Sequence, residues 1–264
     1  MKINVSTLCK IGGREYNQDY MAHSVSDTAA CFVVCDGLGS YVGSEVASRL
    51  CATHIIDDFN EVKNIDTAKA AKRNYSEAYL ENAHNHVVSY KDRNPVISTS
   101  CTTVACAVTD GKTTTLSHIG DSRIYFFKKH KLAYQSKDHS LSQIAVDMGQ
   151  ITLHDIRTHK DQNKLTRVLG SDYYADPDVE VITTPLSVGD SFILCTDGFW
   201  EYVYEEEMEQ DLASSASPTE ALEKMEARLL GRIGKFNDNY TVIVATVMPD
   251  TVKKSASKKG VTNA

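Results

Sequence analysis

Runs of apolar residues alternate with polar breaks along the chain in two different periods. Phe32-Val33-Val34-Cys35, Val104-Ala105-Cys106-Ala107-Val108 and Phe192-Ile193-Leu194-Cys195 are unbroken and short, the signature of strands buried on both faces. Ile3 and Val5 alternate with Asn4 and Ser6, predicting a strand over 2–9. Further strands are expected at 20–25, 31–35, 103–108, 113–119, 122–128, 178–183, 190–196 and 240–248. Asp110-Gly111-Lys112 is a hairpin turn, and the strands joined in this stretch, 103–108, 113–119 and 122–128, are expected to be antiparallel neighbours.

Elsewhere the period lengthens. Val46, Ala47, Leu50, Cys51, Ile55 and Phe59 make one apolar face of a helix over about 41–59. Ala71, Tyr75, Tyr79, Ala83 and Val87 make the stripe of a second over about 67–90, with Asp66 as its N-cap. His84 and His86 are two apart, do not share a face, and are expected at the surface. A short helix is expected at 140–148 and a helical turn near 199–203. Ser217-Pro218-Thr219-Glu220 is a capping box opening a late helix that Gly234 can end. Glu205-Glu206-Glu207 reads as a solvated helix start. Residues 149–170 are polar and aperiodic, which in a compact domain marks a functional loop. Residues 249–264 carry four lysines among Ser, Thr and Gly and read as a disordered basic tail, leaving 1–248 as a single domain. Hairpins with helices grouped in the order predict an α+β fold in layers rather than a doubly wound parallel sheet.

Four strand ends carry an aspartate. Asp36 follows the strand at 31–35 and is followed at once by Gly37 and Gly39; Asp197 follows the strand at 190–196 and precedes Gly198. Asp121 lies between two strand-like runs, and Asp238 lies just before Thr241-Val242-Ile243-Val244-Ala245. If these ends meet, four carboxylates share one site. Two carboxylates about 5 Å apart at an effective dielectric near 20 repel by roughly 3 kcal/mol, so such a group needs cations. An all-oxygen donor set favours magnesium or manganese over zinc or copper.

The bulk composition narrows the function classes. With 264 residues and 42% hydrophobic content the chain can bury a sizeable core. A net charge of −7 argues against a nucleic-acid scaffold. The seven cysteines include no CxxC pair, and Cys31, Cys35, Cys106 and Cys195 fall inside apolar runs, as core residues of a protein of a reducing, cytoplasmic compartment. The start of the chain has no signal-peptide h-region, and no apolar run approaches the ~20 residues of a membrane span.

Taken in order, the motifs resemble the metal-dependent protein phosphatases of type 2C in their bacterial form. The resemblance runs through Arg14-x-x-Asn17-Gln18-Asp19, Asp36-Gly37-Leu38-Gly39-Ser40, Thr102-Thr103, Gly120-Asp121-Ser122-Arg123, Asp138-His139-Ser140, Thr196-Asp197-Gly198 and Asp238-Asn239-x-Thr241. The stretch from Gly149-Gln150-Ile151 to Leu165-Thr166-Arg167-Val168-Leu169-Gly170 is similar to the family's flap beside the active site.

The resemblance implies a four-layer αββα sandwich of two antiparallel sheets flanked by helices. It implies a hydrolase for phosphoserine and phosphothreonine proteins, acting with two to three Mn2+ or Mg2+ ions, opposite a cognate Ser/Thr kinase. On it, Asp36 bridges two ions with the Gly37 carbonyl on one, and Asp197 and Asp238 complete the second. Asp121 with Asp197 holds a third ion, Asp19 orients the attacking water, and Arg14 grips the phosphate. Asn17 and Asn239 stand behind these groups, and Gly149, Thr166, Arg167 and Gly170 belong to the flap. Asp197-Gly198-Phe199-Trp200-Glu201-Tyr202-Val203 is similar to phosphatases paired with kinases of bacterial secretion machines.

Three positions depart from the pattern. Ser40 replaces the motif's last glycine, Gln18 stands where some members carry Glu, and Leu38 stands where some eukaryotic members carry a His credited as general acid. That leaves His139 or a water as the proton donor to the leaving group. A signalling receiver module, which also places Asp at strand ends, fits poorly, because its paired acids and βα alternation are missing.

Overall fold

The computed structural model describes residues 1–39 and 41–249. The Ser40 departure and the tail from 250 onward lie outside the described residues.

Ten strands, β1 (Lys2–Lys10), β2 (Asp19–Val25), β3 (Ala30–Asp36), β4 (Val104–Thr109), β5 (Thr114–Ile119), β6 (Arg123–Lys128), β7 (Lys131–Gln135), β8 (Asp178–Ile182), β9 (Ser191–Cys195) and β10 (Tyr240–Met248), form two five-stranded sheets. One sheet runs β1-β10-β9-β6-β7 and the other β2-β3-β4-β5-β8, and their neighbouring strands are antiparallel. Seven α-helices accompany them among the described residues: α1 (Ser44–Ile65), α2 (Thr67–Ala70), α3 (Arg73–Arg93), α4 (Leu141–Asp147), α5 (Asp197–Trp200), α6 (Glu205–Ala213) and α7 (Pro218–Leu230).

The unbroken apolar strands are explained by three separate cores. Alternate residues of a strand point to opposite faces. In β3, Ala30, Phe32 and Val34 meet Phe192, Leu194, Ile243 and Ala245 of the other sheet. Cys31, Val33 and Cys35 face the other way, against Ala47, Cys51 and Ile55 of α1 and Leu80 and Ala83 of α3. On the far side, Ile193, Cys195, Val242 and Val244 are covered by Trp200, Met208, Leu222, Met225 and Leu229. Helices, sheet, sheet, helices is the expected four-layer αββα order. All seven cysteines are free thiols, six of them buried, in keeping with their place in the core.

The differences from the sequence reading are local. The second helix is broken: Asp66 caps α2, accepting from the Ala68 N–H at 3.0 Å, and a turn at Ala71-Lys72 precedes α3. β7 was not anticipated. Its hairpin turns on Lys129 and His130 at φ 48 and 67, with none of the usual Asn-Gly chemistry. The late helix ends at Gly231, not Gly234. His84 is buried, not superficial: its Nδ1 accepts the Gly170 N–H at 3.2 Å. The Glu205–Glu207 run is more than a solvated helix start, since Glu205 is held by Arg157 and Glu207 by Arg228 and Arg232.

One difference positions the site. Strands 113–119 and 122–128 are consecutive but not neighbours: β5 and β6 belong to opposite sheets. Gly120-Asp121-Ser122 carries the chain across the end of the sandwich, and Asp121 sits on that crossing.

Candidate active site

The strand ends do meet. The β2–β3 ladder puts Asp19 directly opposite Asp36, and the β9–β10 and β6–β9 ladders bring Val242 and Arg123 each opposite Cys195. Asp36, Asp121, Asp197 and Asp238 therefore come to the same end of the sandwich. They line a cleft of about 670 Å³ together with Arg14, Gly37, Leu38 and Asn239. Asp19 lies just behind, buried, its Oδ2 accepting the Thr196 hydroxyl at 2.9 Å.

The backbone around the carboxylates is tightly held. The Asp36 N–H donates to Thr103 Oγ1 at 3.0 Å, and that hydroxyl shares a 2.6 Å hydrogen bond with Ser122. Thr102 Oγ1 and the Thr103 N–H donate to the Asp36 carbonyl. Gly37 donates to the Gln18 carbonyl, and a Cβ at Gly37 would sit on the Ser44 carbonyl, so glycine is required by the close approach of α1. The Trp200 indole N–H donates to the Asp121 carbonyl at 2.9 Å. Asn239 ties down the loop before β2: its Nδ2 donates to the Ile11 and Tyr16 carbonyls and its Oδ1 accepts the Gln18 N–H. Asn17 Oδ1 accepts the Asp19 N–H. At Gly12 (φ 60) the same loop passes so close to the Asp238 carbonyl that a Cβ could not fit. Arg14 reaches across and bonds the Asp238 carboxylate at 2.5 Å.

The electrostatics are those of crowded anions. Burial, then the charges of Asp19, Asp197, Asp121 and Asp238, push the Asp36 carboxyl well above the usual carboxylate range. Burial and then Asp197 do the same to Asp121. Burial raises Asp19 to about 7, and burial followed by Asp238 raises Asp197 to about 6. Glu201, not singled out from the sequence, is pushed to about 8 by burial and by Asp197 and Asp238. Asp19 Oδ1 is buried without a hydrogen-bond partner among the described residues. Crowded carboxylates, an orphaned carboxylate oxygen and one nearby guanidinium are a donor set that suits hard divalent cations.

The segment expected to be the flap reaches the cleft in part. Gly149, Thr166, Arg167 and Gly170 do not line the cleft; Asn163, Leu165 and Val168 do. Thr166 donates its N–H to the His139 carbonyl, and Leu169 exchanges backbone hydrogen bonds with Thr102, fixing this strip against the residues that lead into β4. Lys91, from the last turn of α3, also lines the cleft and has no motif to announce it.

His139 is a loop-stabilising residue. Its Nδ1 accepts the Gly120 N–H at 3.1 Å, and burial, then His118, lower its pKa to about 4, so it is neutral at physiological pH. With His118 and Asp178 it forms the one tight group of three metal-type donors among the described residues. Two of its members are held: because Gly120 occupies Nδ1 of His139, that neutral ring carries its proton on Nε2, 3.3 Å from Asp178, whose other oxygen is held by Arg167 at 2.9 Å. His118 Nε2 lies 2.7 Å from the Lys137 carbonyl, and its Nδ1 is buried without a hydrogen-bond partner among the described residues.

Comparison with known proteins shows the family and the fold. The model of the family described as "Protein phosphatase 2C" matches residues 10–231. The "Serine/threonine phosphatase stp" of Listeria monocytogenes serotype 4b is 26% identical over 234 residues, covering 89% of this chain and 88% of that one. The crystal structure of the Ser/Thr phosphatase Stp1 from Staphylococcus aureus superposes with a TM-score of 0.83 at 25% identity, covering 94% of this chain and 96% of that one. The catalytic domain of the phosphatase PstP, solved with two manganese ions, shares the fold with a TM-score of 0.74 at 23% identity, over 94% and 99% of the two chains.

Proposed function

The chain belongs to the protein phosphatase 2C family and is a serine/threonine phosphoprotein phosphatase, and from that premise we propose which of its residues carry the hydrolysis. The supporting observation is the group of carboxyls that burial and mutual repulsion push up, with Arg14 on Asp238 as the cationic contact the protein supplies to them. Asp36 with the Gly37 carbonyl, Asp197 and Asp238 would hold two divalent cations, and Asp121 with Asp197 would hold a third. Manganese or magnesium, when bound, neutralises phosphoryl oxygens and lowers the pKa of a water enough to make it a nucleophile at neutral pH.

The remaining roles belong to side chains. Asp19, through its unpartnered Oδ1, accepts a hydrogen from the attacking water and orients it. Arg14 leaves Asp238 to bind two phosphate oxygens with its planar fork. Asn17 and Asn239 hold the loop that carries Arg14 and Asp19. Leu38 cannot protonate the leaving alkoxide, and His139 is neutral and outside the cleft, so a solvent molecule supplies that proton.

Residues 1–248 act as one catalytic unit, with 149–170 as its flap. No helix among the described residues is long and apolar enough to cross a membrane; the phosphatase works in the cytoplasm, against a Ser/Thr kinase whose products are its substrates. The test is hydrolysis of a phosphothreonine peptide with manganese, magnesium, calcium or EDTA in parallel. Turnover is expected with manganese or magnesium and none with EDTA. Full turnover in EDTA overturns the cation reading, and no turnover with any cation overturns the hydrolysis itself.

A further inference from the structure

Lys91 is an unusual residue for its position. It projects from the last turn of α3, is only 6% exposed, and lines the same cleft as the carboxylates. Its ammonium has three donors but one hydrogen bond, to the Gly170 carbonyl at 2.5 Å, and no carboxylate within ion-pair distance among the described residues. A buried ammonium is costly unless paired. Cys101, Val168, Ser171 and the exposed Asp172 line the same cleft.

The placement of this cation is built, not incidental. His84 and Lys91 are two helical turns apart on α3, and they take the N–H and the carbonyl of the same residue, Gly170. The distance from the reacting end follows from the backbone. Gly37 bridges to Thr102, and Thr102 bridges to Leu169, next to Gly170. Adjacent strands lie about 4.8 Å apart, so two steps span about 10 Å, the length of roughly three extended residues.

We infer that Lys91 is an anion subsite for the substrate: it pairs with an acidic side chain, a carboxylate or a second phosphate, about three residues from the phosphoserine or phosphothreonine being hydrolysed. This rests on the phosphatase reading of the cleft. The chemistry is complementary, because the carboxylate end with its cations takes the phosphate to be hydrolysed, while the ammonium at the other end has donors to spare for a second anion. A charged hydrogen bond in a site withdrawn from water corresponds to about tenfold in affinity.

The test uses the full chain with manganese and a panel of phosphothreonine peptides. They carry Gln, Glu, Lys or phosphoserine three residues before or after the phosphothreonine. Hydrolysis of the Gln peptide establishes the phosphatase reading by itself. On one side of the phosphothreonine, the Glu or phosphoserine peptide is expected to exceed the Lys peptide about tenfold in kcat/KM, through KM. Lys91→Gln, which keeps a donor for Gly170, is expected to remove that preference while the Gln peptide keeps its kcat, and Lys91→Arg is expected to restore it. A merely structural lysine would change all peptides alike. A wild-type enzyme that hydrolyses every peptide equally, or a preference that survives in Lys91→Gln, overturns the subsite. If Lys91→Gln does not fold, the wild-type panel and Lys91→Arg decide: the absence of preference in either overturns it.

Discussion

Two sets of buried charge stand within a few residues of each other and are completed in opposite ways. Arg123 is wholly buried. It makes a bidentate pair with Asp138, 2.8 Å on each arm, and lies 3.5 Å over the Trp200 ring. Burial works against its charge, but Asp138 and Tyr125 more than offset that and raise its pKa. Glu205 nearby feels the same penalty, and Arg157 reverses it, leaving the carboxyl below its ordinary value. Two positions before Arg123, Asp121 receives no such partner among the described residues, and Asp19, Asp36 and Asp197 are likewise pushed up by burial and by one another. Where the protein supplies the counter-charge, buried ions are architecture. Where it leaves carboxylates facing one another, the missing cations must come from solution.

The largest test of that contrast is Asp36→Asn. Removing the central charge is expected to lower kcat on a phosphothreonine peptide by ~10³-fold or more, while the metal-free variant melts at or above the wild-type temperature, because one repelling charge is gone. Full activity would end the assignment. Arg123→Met should do the reverse. It leaves Asp138 buried and unpaired, at a cost of about 3–5 kcal/mol in a urea titration. Replacing both partners, Arg123→Met with Asp138→Leu, should recover most of that loss. A double variant as unstable as the single one would show that the pair is not the reason for the loss.

Arg14 belongs to the open set: half exposed and, among the described residues, ion-paired with Asp238 alone, it should be dispensable for folding. Arg14→Ala is expected to lower kcat/KM about tenfold through KM with an unchanged melting temperature.

The smallest effect concerns pH. Asp19 and Asp197, raised to about 7 and about 6, keep protons in the folded state that the unfolded chain has released. Metal-free stability therefore falls as pH rises from the ordinary carboxylate range through about 7. A bound cation takes the protons' place. The rise in melting temperature on adding magnesium should be largest at pH 8 and smaller by about 3 °C or more at pH 6. His139, lowered to about 4, acts in the opposite direction below its ordinary value of 6.5, but it acts equally with and without magnesium, so the difference isolates the carboxylates. A magnesium shift constant from pH 6 to 8 would count against their coupled titration.

Much of the architecture was legible because it is written in local patterns. The period-2 and unbroken apolar runs located nine of the ten strands, and β7 escaped because Lys129 and His130 turn a hairpin without turn residues. Asp36, Asp121, Asp197 and Asp238 stood out because each sits where an apolar run stops or begins, so that strand pairing can gather them at one end of the sheets. Lys91, His84 and Glu201 gave no such signal. Each lies within a helix or helical turn that reads as ordinary amphipathic sequence, and its burial is set by what packs on it.

From the residues alone came the types of element, the apolar faces that must be covered, and the need for several strand-end carboxylates to share a cation if they meet. Whether they meet was decided by the crossing of Gly120-Asp121-Ser122 from one sheet to the other, which consecutive strands do not announce. The same holds for the ammonium of Lys91, placed by the packing of α3 against the Leu169-Gly170 strip. Local sequence sets dihedral preference and the side of an element that avoids water; which distant charges become neighbours depends on how layers stack, and that is a property of the whole chain.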